Sequence, residues 1–136
     1  MGTVDDADGC RIAREMFAAD AASQALGIGM EELAPGRAVT TMTVTEAMVN
    51  GHGITHGGSV FALADTAFAL ACNSHDQRAV AAHADIRFIA SSELGDVLRA
   101  EAVERARYGR NGLYDVSVWC GDVLVAEFRG QSRTIA

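Results

Sequence analysis

Ser59-Val60-Phe61-Ala62-Leu63-Ala64-Asp65-Thr66-Ala67-Phe68-Ala69-Leu70-Ala71-Cys72-Asn73 decides the fold. The stretch consists largely of strong helix formers and is apolar on nearly every face, so it reads as a helix buried on most sides. One face of a sheet cannot cover such a helix. It needs a curved sheet wrapped around it or a second subunit against it, and we expect both. Asp65 is the sole charged residue between Gly57 and Asn73. Burying an unpaired carboxylate is costly, and desolvation raises its pKa, which suits a base or a nucleophile. The structural alternative is a buried Asp that holds a backbone or arginine partner.

The residues just upstream are Asn50-Gly51-His52-Gly53-Ile54-Thr55-His56-Gly57-Gly58, a glycine-rich loop that runs into the helix. Gly57 and Gly58 fall where loop becomes helix, so their N–H groups belong to the unpaired donors of a first turn. Lacking Cβ atoms, they let a ligand approach the backbone, and the positive end of the helix dipole suits a developing oxyanion. A helix start with unusual dihedrals is the plainer reading of the same pair. His52 and His56 stand four apart, a metal-ligand spacing on a helix, but Gly51 and Gly53 argue against a helix there and no third ligand is evident. A Ser59–His56–Asp65 triad lacks a nucleophile-elbow signature. Cys72 reads as core, and His75 and His83 as surface histidines. Arg110, in a tight turn, reads as solvated.

Outward from this centre, residues 10–25 read as a helix, with Ile12, Met16 and Ala19 at helical spacing and Gly27 as its stop. Gly36 to Thr45 alternates and is β-branched, so it reads as a strand. Strands are expected at about 79–90, 96–107, 112–120 and 122–134, with Gly-Asp pairs at 95–96 and 121–122 marking turns. Helix, strand, long buried helix and a run of antiparallel strands make an α+β architecture. At 136 residues the chain suits one domain, over 10–136, with residues 1–9 disordered.

Composition narrows the function. The net charge is −7 and the basic residues are all arginines, which disfavours non-specific binding to nucleic acid or an anionic membrane. A local arginine patch can still fork onto the phosphates of a ligand. Three cysteines without Cys-x-x-Cys spacing make neither a disulfide framework nor a zinc ribbon. An acidic N-terminus and the lack of a membrane-length apolar run lead us to expect a soluble, cytoplasmic protein.

Asn50-Gly51-His52, His56-Gly57-Gly58 and Phe61-Ala62-Leu63-Ala64-Asp65-Thr66-Ala67-Phe68 resemble the hotdog-fold acyl-CoA thioesterases of the phenylacetic acid degradation type. Thr41–Thr45, Ala71–Ser74, Gly112–Asp115 and Phe128–Gly130 extend the likeness over roughly residues 15–135. The resemblance implies a long central helix wrapped by a curved antiparallel sheet, in dimers that pair into tetramers. It implies hydrolysis of acyl-CoA, with phenylacetyl or ring-hydroxylated phenylacetyl as the acyl group, and no cofactor or metal. By the same resemblance Asp65 is nucleophile or general base, Gly57 donates to the oxyanion, and Asn50 and His56 place thioester and water. His52, Gly58, Val60, Phe61, Phe68, His83, Arg110 and Arg129 are the candidates for substrate contact. Two departures stand out. Relatives carry Phe-Leu-Arg-Pro where this chain has Phe88-Ile89-Ala90-Ser91, and some place a hydroxyl where this chain has Ala81, Ala82 and His83.

Two rival functions use the same residues. A hotdog dehydratase acting on 3-hydroxyacyl thioesters would release an enoyl thioester rather than a free thiol. A non-catalytic acyl-CoA binder would release no thiol, and a buried Asp65 is costly without a task. Helix geometry adds a further expectation. Gly57 and Asp65 are eight residues apart, about 12 Å along a helix axis. One active site therefore takes Asn50, His56 and Gly57 from one chain and Asp65 from a two-fold partner.

Overall fold

The structure, a computed structural model, describes residues 9–135. The expectation of disorder over residues 1–9 falls almost wholly outside that range. The elements in chain order are helix α1 (Arg11–Ala18), helix α2 (Ala21–Ala25), strands β1 (Gly29–Ala34) and β2 (Arg37–Thr43), a single 3₁₀ turn (Glu46–Met48), helix α3 (Gly57–Cys72), and strands β3 (Ala79–Phe88), β4 (Val97–Tyr108), β5 (Asn111–Cys120) and β6 (Val123–Thr134). All six strands form one antiparallel sheet in the order β1-β2-β4-β5-β6-β3. The sheet curls around α3, which meets every strand. This is the hotdog arrangement that the resemblance implied, and it gives the apolar helix the curved sheet it needs.

Alternation along the strands supplies the inner face. Gly112, Tyr114, Val116 and Val118 of β5 point inward and are buried, and so do Leu98, Ala100 and Ala102 of β4. Small inward residues let the backbone of the sheet come close to the helix. One close approach is at Gly130 of β6, where a Cβ would lie 2.7 Å from the ring of Phe68. Phe68 packs edge-on to Tyr114 and tilted against Phe128, each with centroids 5.7 Å apart. Bulges at Met30/Glu32, Ala81/His83, Glu104/Ala106 and Val118/Trp119 add the local twist a wrapped sheet needs.

Two features differ from the sequence reading. The helix expected over 10–25 is two helices, because Asp20 caps α2: its Oδ1 accepts the Ser23 N–H at 3.0 Å. A strand, β1, precedes the expected first strand, and its Glu31-Glu32 pair and scarcity of β-branched residues hide it from a propensity argument. The central helix begins at Gly57, as the glycine pair suggested, and the detail added by the structure is that His56 is its N-cap. Among the described residues, no helix is long and apolar enough to cross a membrane.

Candidate active site

A pocket of about 320 Å³ opens at the N-terminal end of α3. Its walls include Asn50, Gly57, Val60, Phe88, Ser92 and Val125. The loop from Asn50 to His56 is folded by Asn50 itself. Its Oδ1 accepts the N–H of His52 at 2.9 Å and of Ile54 at 3.3 Å, while its own N–H donates to the Ile54 carbonyl at 2.8 Å. Asn favours such local side-chain turns. A second clasp ties the loop to the segment after β3. Thr55 N–H donates to the Ser92 carbonyl at 2.8 Å, and the Ser92 hydroxyl donates to Thr55 Oγ1 at 2.7 Å. Both side chains are buried, so each answers the other's desolvation.

The start of α3 leaves one donor open. His56 Nδ1 accepts the Gly58 N–H at 2.9 Å, which places a neutral ring's proton on Nε2. The His56 carbonyl takes the N–H groups of Ser59 at 2.9 Å and Val60 at 3.3 Å. Gly57 N–H has no acceptor among the described residues, and Gly57 lines the pocket. A lone N–H at the positive end of a 16-residue helix is suited to an oxygen that gains negative charge. The ring of Phe88 packs so closely that a Cβ at Gly57 would sit 3.0 Å from it.

Asp65 lies two turns further along α3, half-buried, with no hydrogen-bond or ion-pair partner among the described residues. Burial first, and the negative charge of Asp20 second, push its carboxyl above the usual carboxylate range. Asp65 in turn helps burial push the Cys72 thiol up to about 12. Phe61, Asp65 and Ala69, at four-residue spacing, and Ala62 are only half-buried, so this stripe of α3 lacks a full cover within one protomer.

The structure thus gathers Asn50, Gly57 and Val60 around one pocket, with His56 and Gly58 forming the helix cap at its edge. Other candidates lie elsewhere in the protomer. Phe68 is a core residue with 1% of its surface exposed, not a pocket wall. Phe61 packs on Phe128 with centroids 5.3 Å apart. The His52 side chain is exposed on the loop, and His83 is exposed on β3, 3.5 Å from Asp85. Arg129 makes two bonds to Asp115, at 2.7 and 3.1 Å, and Arg105 makes a third at 2.7 Å. These guanidinium bonds hold the Asp115 carboxyl below the usual range. Arg110 donates to the Thr134 carbonyl at 2.8 Å and, with Arg78, lines a separate cavity of about 380 Å³. Ile54, Thr55, Ser92 and Val125 line the pocket without having been singled out from sequence. Only the unusual run Phe88-Ile89-Ala90-Ser91 had drawn attention to that wall.

The fold agrees with what the chain resembles among known proteins. Residues 52–127 match the thioesterase superfamily, and the chain belongs to that superfamily. It is 45% identical over 124 residues to the acyl-coenzyme A thioesterase PaaI of Escherichia coli strain K12, covering 90% of this chain and 89% of that protein. The solved structure of the E. coli PaaI protein from the phenylacetic acid degradation operon superposes with a TM-score of 0.92 at 43% identity, over 96% of this chain and 95% of that one. A mutant of the phenylacetic acid degradation protein PaaI from Thermus thermophilus superposes with a TM-score of 0.81 at 37% identity, over 83% of this chain and 97% of that one.

Proposed function

We propose that this protein hydrolyses acyl-CoA thioesters to a free acid and coenzyme A, with phenylacetyl or ring-hydroxylated phenylacetyl as the acyl group. The observation that carries the reading is the open N–H of Gly57, a residue that lines a pocket together with Val60, Phe88 and Val125. The similarity to an acyl-coenzyme A thioesterase over nine-tenths of the chain supports the reaction class. In this reading the thioester oxygen sits on Gly57 N–H, which stabilises the oxyanion as the carbonyl is attacked. Asp65 either attacks the carbonyl carbon, giving an anhydride that water then opens, or takes a proton from the attacking water. Either route breaks the C–S bond and releases the thiol. Asn50 and His56 order the loop and the cap that hold the carbonyl in place.

Asp65 does not line the pocket of its own chain, so the site is completed by a partner. Two features support a two-fold dimer. The half-covered stripe of α3 carries Asp65, and β3, paired with β6 alone, leaves its outer edge free. Antiparallel pairing of two β3 edges would set the Phe88 end of one strand beside the Ala79 end of the other. The partner's Asp65 could then reach this chain's Gly57. The same pairing would bring the partner's Arg110, at the Ala79 end, toward the mouth of this pocket, where phosphates of coenzyme A need a cation. Such dimers pair further into tetramers. Three free thiols, two of them buried, fit the reducing cytoplasm.

The test is a thiol-release screen over phenylacetyl-, hydroxyphenylacetyl-, benzoyl- and straight-chain acyl-CoAs. Turnover on the arylacetyl substrates is the expected result. An enoyl product from 3-hydroxyacyl-CoA, or no thiol from any substrate, overturns the assignment. Refolding inactive Asp65→Ala together with inactive Asn50→Ala tests the shared site. About half the dimers are mixed, so roughly a quarter of sites regain activity. Mixed dimers as dead as either parent count against a shared site.

A further inference from the structure

The break between α1 and α2 places a second acid at the flank of α3. Asp20 is held rigidly: Oδ1 accepts the Ser23 N–H at 3.0 Å and Oδ2 accepts the Ser23 hydroxyl at 2.6 Å. The Ser23 hydroxyl lies 2.9 Å from the Thr66 hydroxyl, which itself donates to the Ala62 carbonyl at 2.9 Å. Ser23 is 4% exposed and Thr66 8%, so the bridge between α2 and α3 is dry. Thr66 is the residue next to Asp65. We propose that Asp20 is a positioning residue for the Asp65 site: pinned through Ser23 to Thr66, it keeps a second negative charge beside Asp65 and makes Asp65 a stronger base. This rests on the reading of Asp65 as the catalytic carboxylate.

The neighbourhood contains few competing charges. Arg14 and Glu15 sit on α1, and Glu15 and Arg78 share with Asp20 a cavity of about 500 Å³. On α3 itself the other titratable group is Cys72. His83 and Asp85 on β3 face one another. Arg99 answers Glu31 and Glu32, and Arg105 and Arg129 answer Asp115. Within one protomer Asp20 adds its negative charge to the effect of burial on Asp65. A carboxylate surrounded by low dielectric and a like charge binds its proton more tightly, and a general base gains rate as its basicity rises toward the working pH.

Asp20→Asn separates charge from structure, because Asn caps a helix as well as Asp does. Two measurements on the intact oligomer decide the matter: the pH dependence of kcat, and a carboxyl ¹³C NMR titration of Asp65. Loss of the neighbouring charge lets Asp65 ionise at lower pH. The acid limb of kcat and the NMR midpoint should therefore move together to lower pH, while plateau kcat falls roughly 2–5-fold from the weaker base. The two pH profiles then converge or cross on the acid side. Ser23→Ala, which cuts the bridge, should move the limb in the same direction and also lower Tm. A uniform loss of kcat with an unmoved limb and midpoint overturns the proposal and leaves Asp20 a mere cap. A midpoint that moves while the kinetic limb does not follow it overturns the proposal by its premise, since Asp65 then is not the base.

Discussion

The two ends of α3 are treated in opposite ways. At the C-terminal end side chains pair with backbone groups and with one another. Asn73 Nδ2 donates to the carbonyls of Ala69 and Ala79 at 2.9 and 3.0 Å, and Asn73 Oδ1 accepts the Ala79 N–H at 2.9 Å. The Ser74 hydroxyl donates to the Ala71 carbonyl at 2.6 Å and accepts the Gly36 N–H at 2.8 Å. His75 and Tyr114 converge on Glu104 at 2.6 and 2.9 Å, and burial followed by that carboxylate raises the Tyr114 hydroxyl well above its ordinary range. At the N-terminal end one N–H is left without a partner, two glycines take the place of side chains, and the walls form a pocket. One end anchors the fold, and the other holds an unsatisfied donor in reserve for a ligand.

Substitutions should therefore separate into those that move turnover and those that move stability. The largest effect is expected at Asp65, on the half-covered stripe of α3. Asp65→Asn should lower kcat at least ~10²-fold, as loss of an acid–base group does. Its effect on stability runs the other way. The folded carboxyl is raised, so its contribution to stability is present at low pH and is lost as pH rises through the folded value. The Asn variant should consequently melt higher than wild type at neutral pH, with the gain shrinking on acidification. Near-normal turnover in folded Asp65→Asn breaks the assignment.

Next in size is Asn73→Ala at the closed end. Three hydrogen bonds vanish and the buried backbone of Ala79 loses its partner, at a cost of about 2 kcal/mol. A chain of this length should lose about 6–10 °C in Tm, read by calorimetry. kcat/KM below the melting range should hold. A large kinetic defect there blurs the contrast between the two ends.

A smaller effect, again on turnover, follows from Gly57→Ala. The added methyl would sit 3.0 Å from the Phe88 ring, which must swing aside and crowd the pocket. About a 10-fold loss in kcat is expected with Tm nearly unchanged, because Ala favours a helix more than Gly does. Pairing it with Phe88→Leu should restore part of the loss, and a double variant no better than the single one shows that the ring is not the obstacle. The smallest effect belongs to the far cavity. Arg110→Ala should raise KM for acyl-CoA a few-fold at low salt with kcat unchanged, the gap closing as salt screens the phosphates.

Much of this was legible in the sequence, for a definite reason. A helix that is apolar all round has very few homes, so Ser59–Asn73 pointed to a wrapped sheet or a second subunit, and the family resemblance supplied the particular fold. Gly57 and Asp65 were visible because each breaks a local rule, a glycine in a helix start and a charge in an apolar run. The capping choice at Asp20 was not visible, since helical periodicity runs on through it, and neither was β1, whose glutamates face solvent. The Thr55–Ser92 clasp joins residues 37 apart through two ordinary hydroxyls, and such a pair has no local signature. The placement of Arg129 on Asp115 depends on strand register, which the sequence expectation did not assign.

Gly130 has a consequence for how this fold can change. An added Cβ there would lie 2.7 Å from the Phe68 ring, a distance real side chains do not tolerate without a shift of that core ring. Phe68 lies eleven residues from Gly57, about 16 Å along the helix. This unforgiving position of the scaffold is thus spatially insulated from the pocket at the start of α3. Descendants of this chain can reshape Val60, Phe88 or Ile89 to admit new acyl groups without disturbing the keystone, whereas drift at Gly130 is closed to them whatever they learn to hydrolyse.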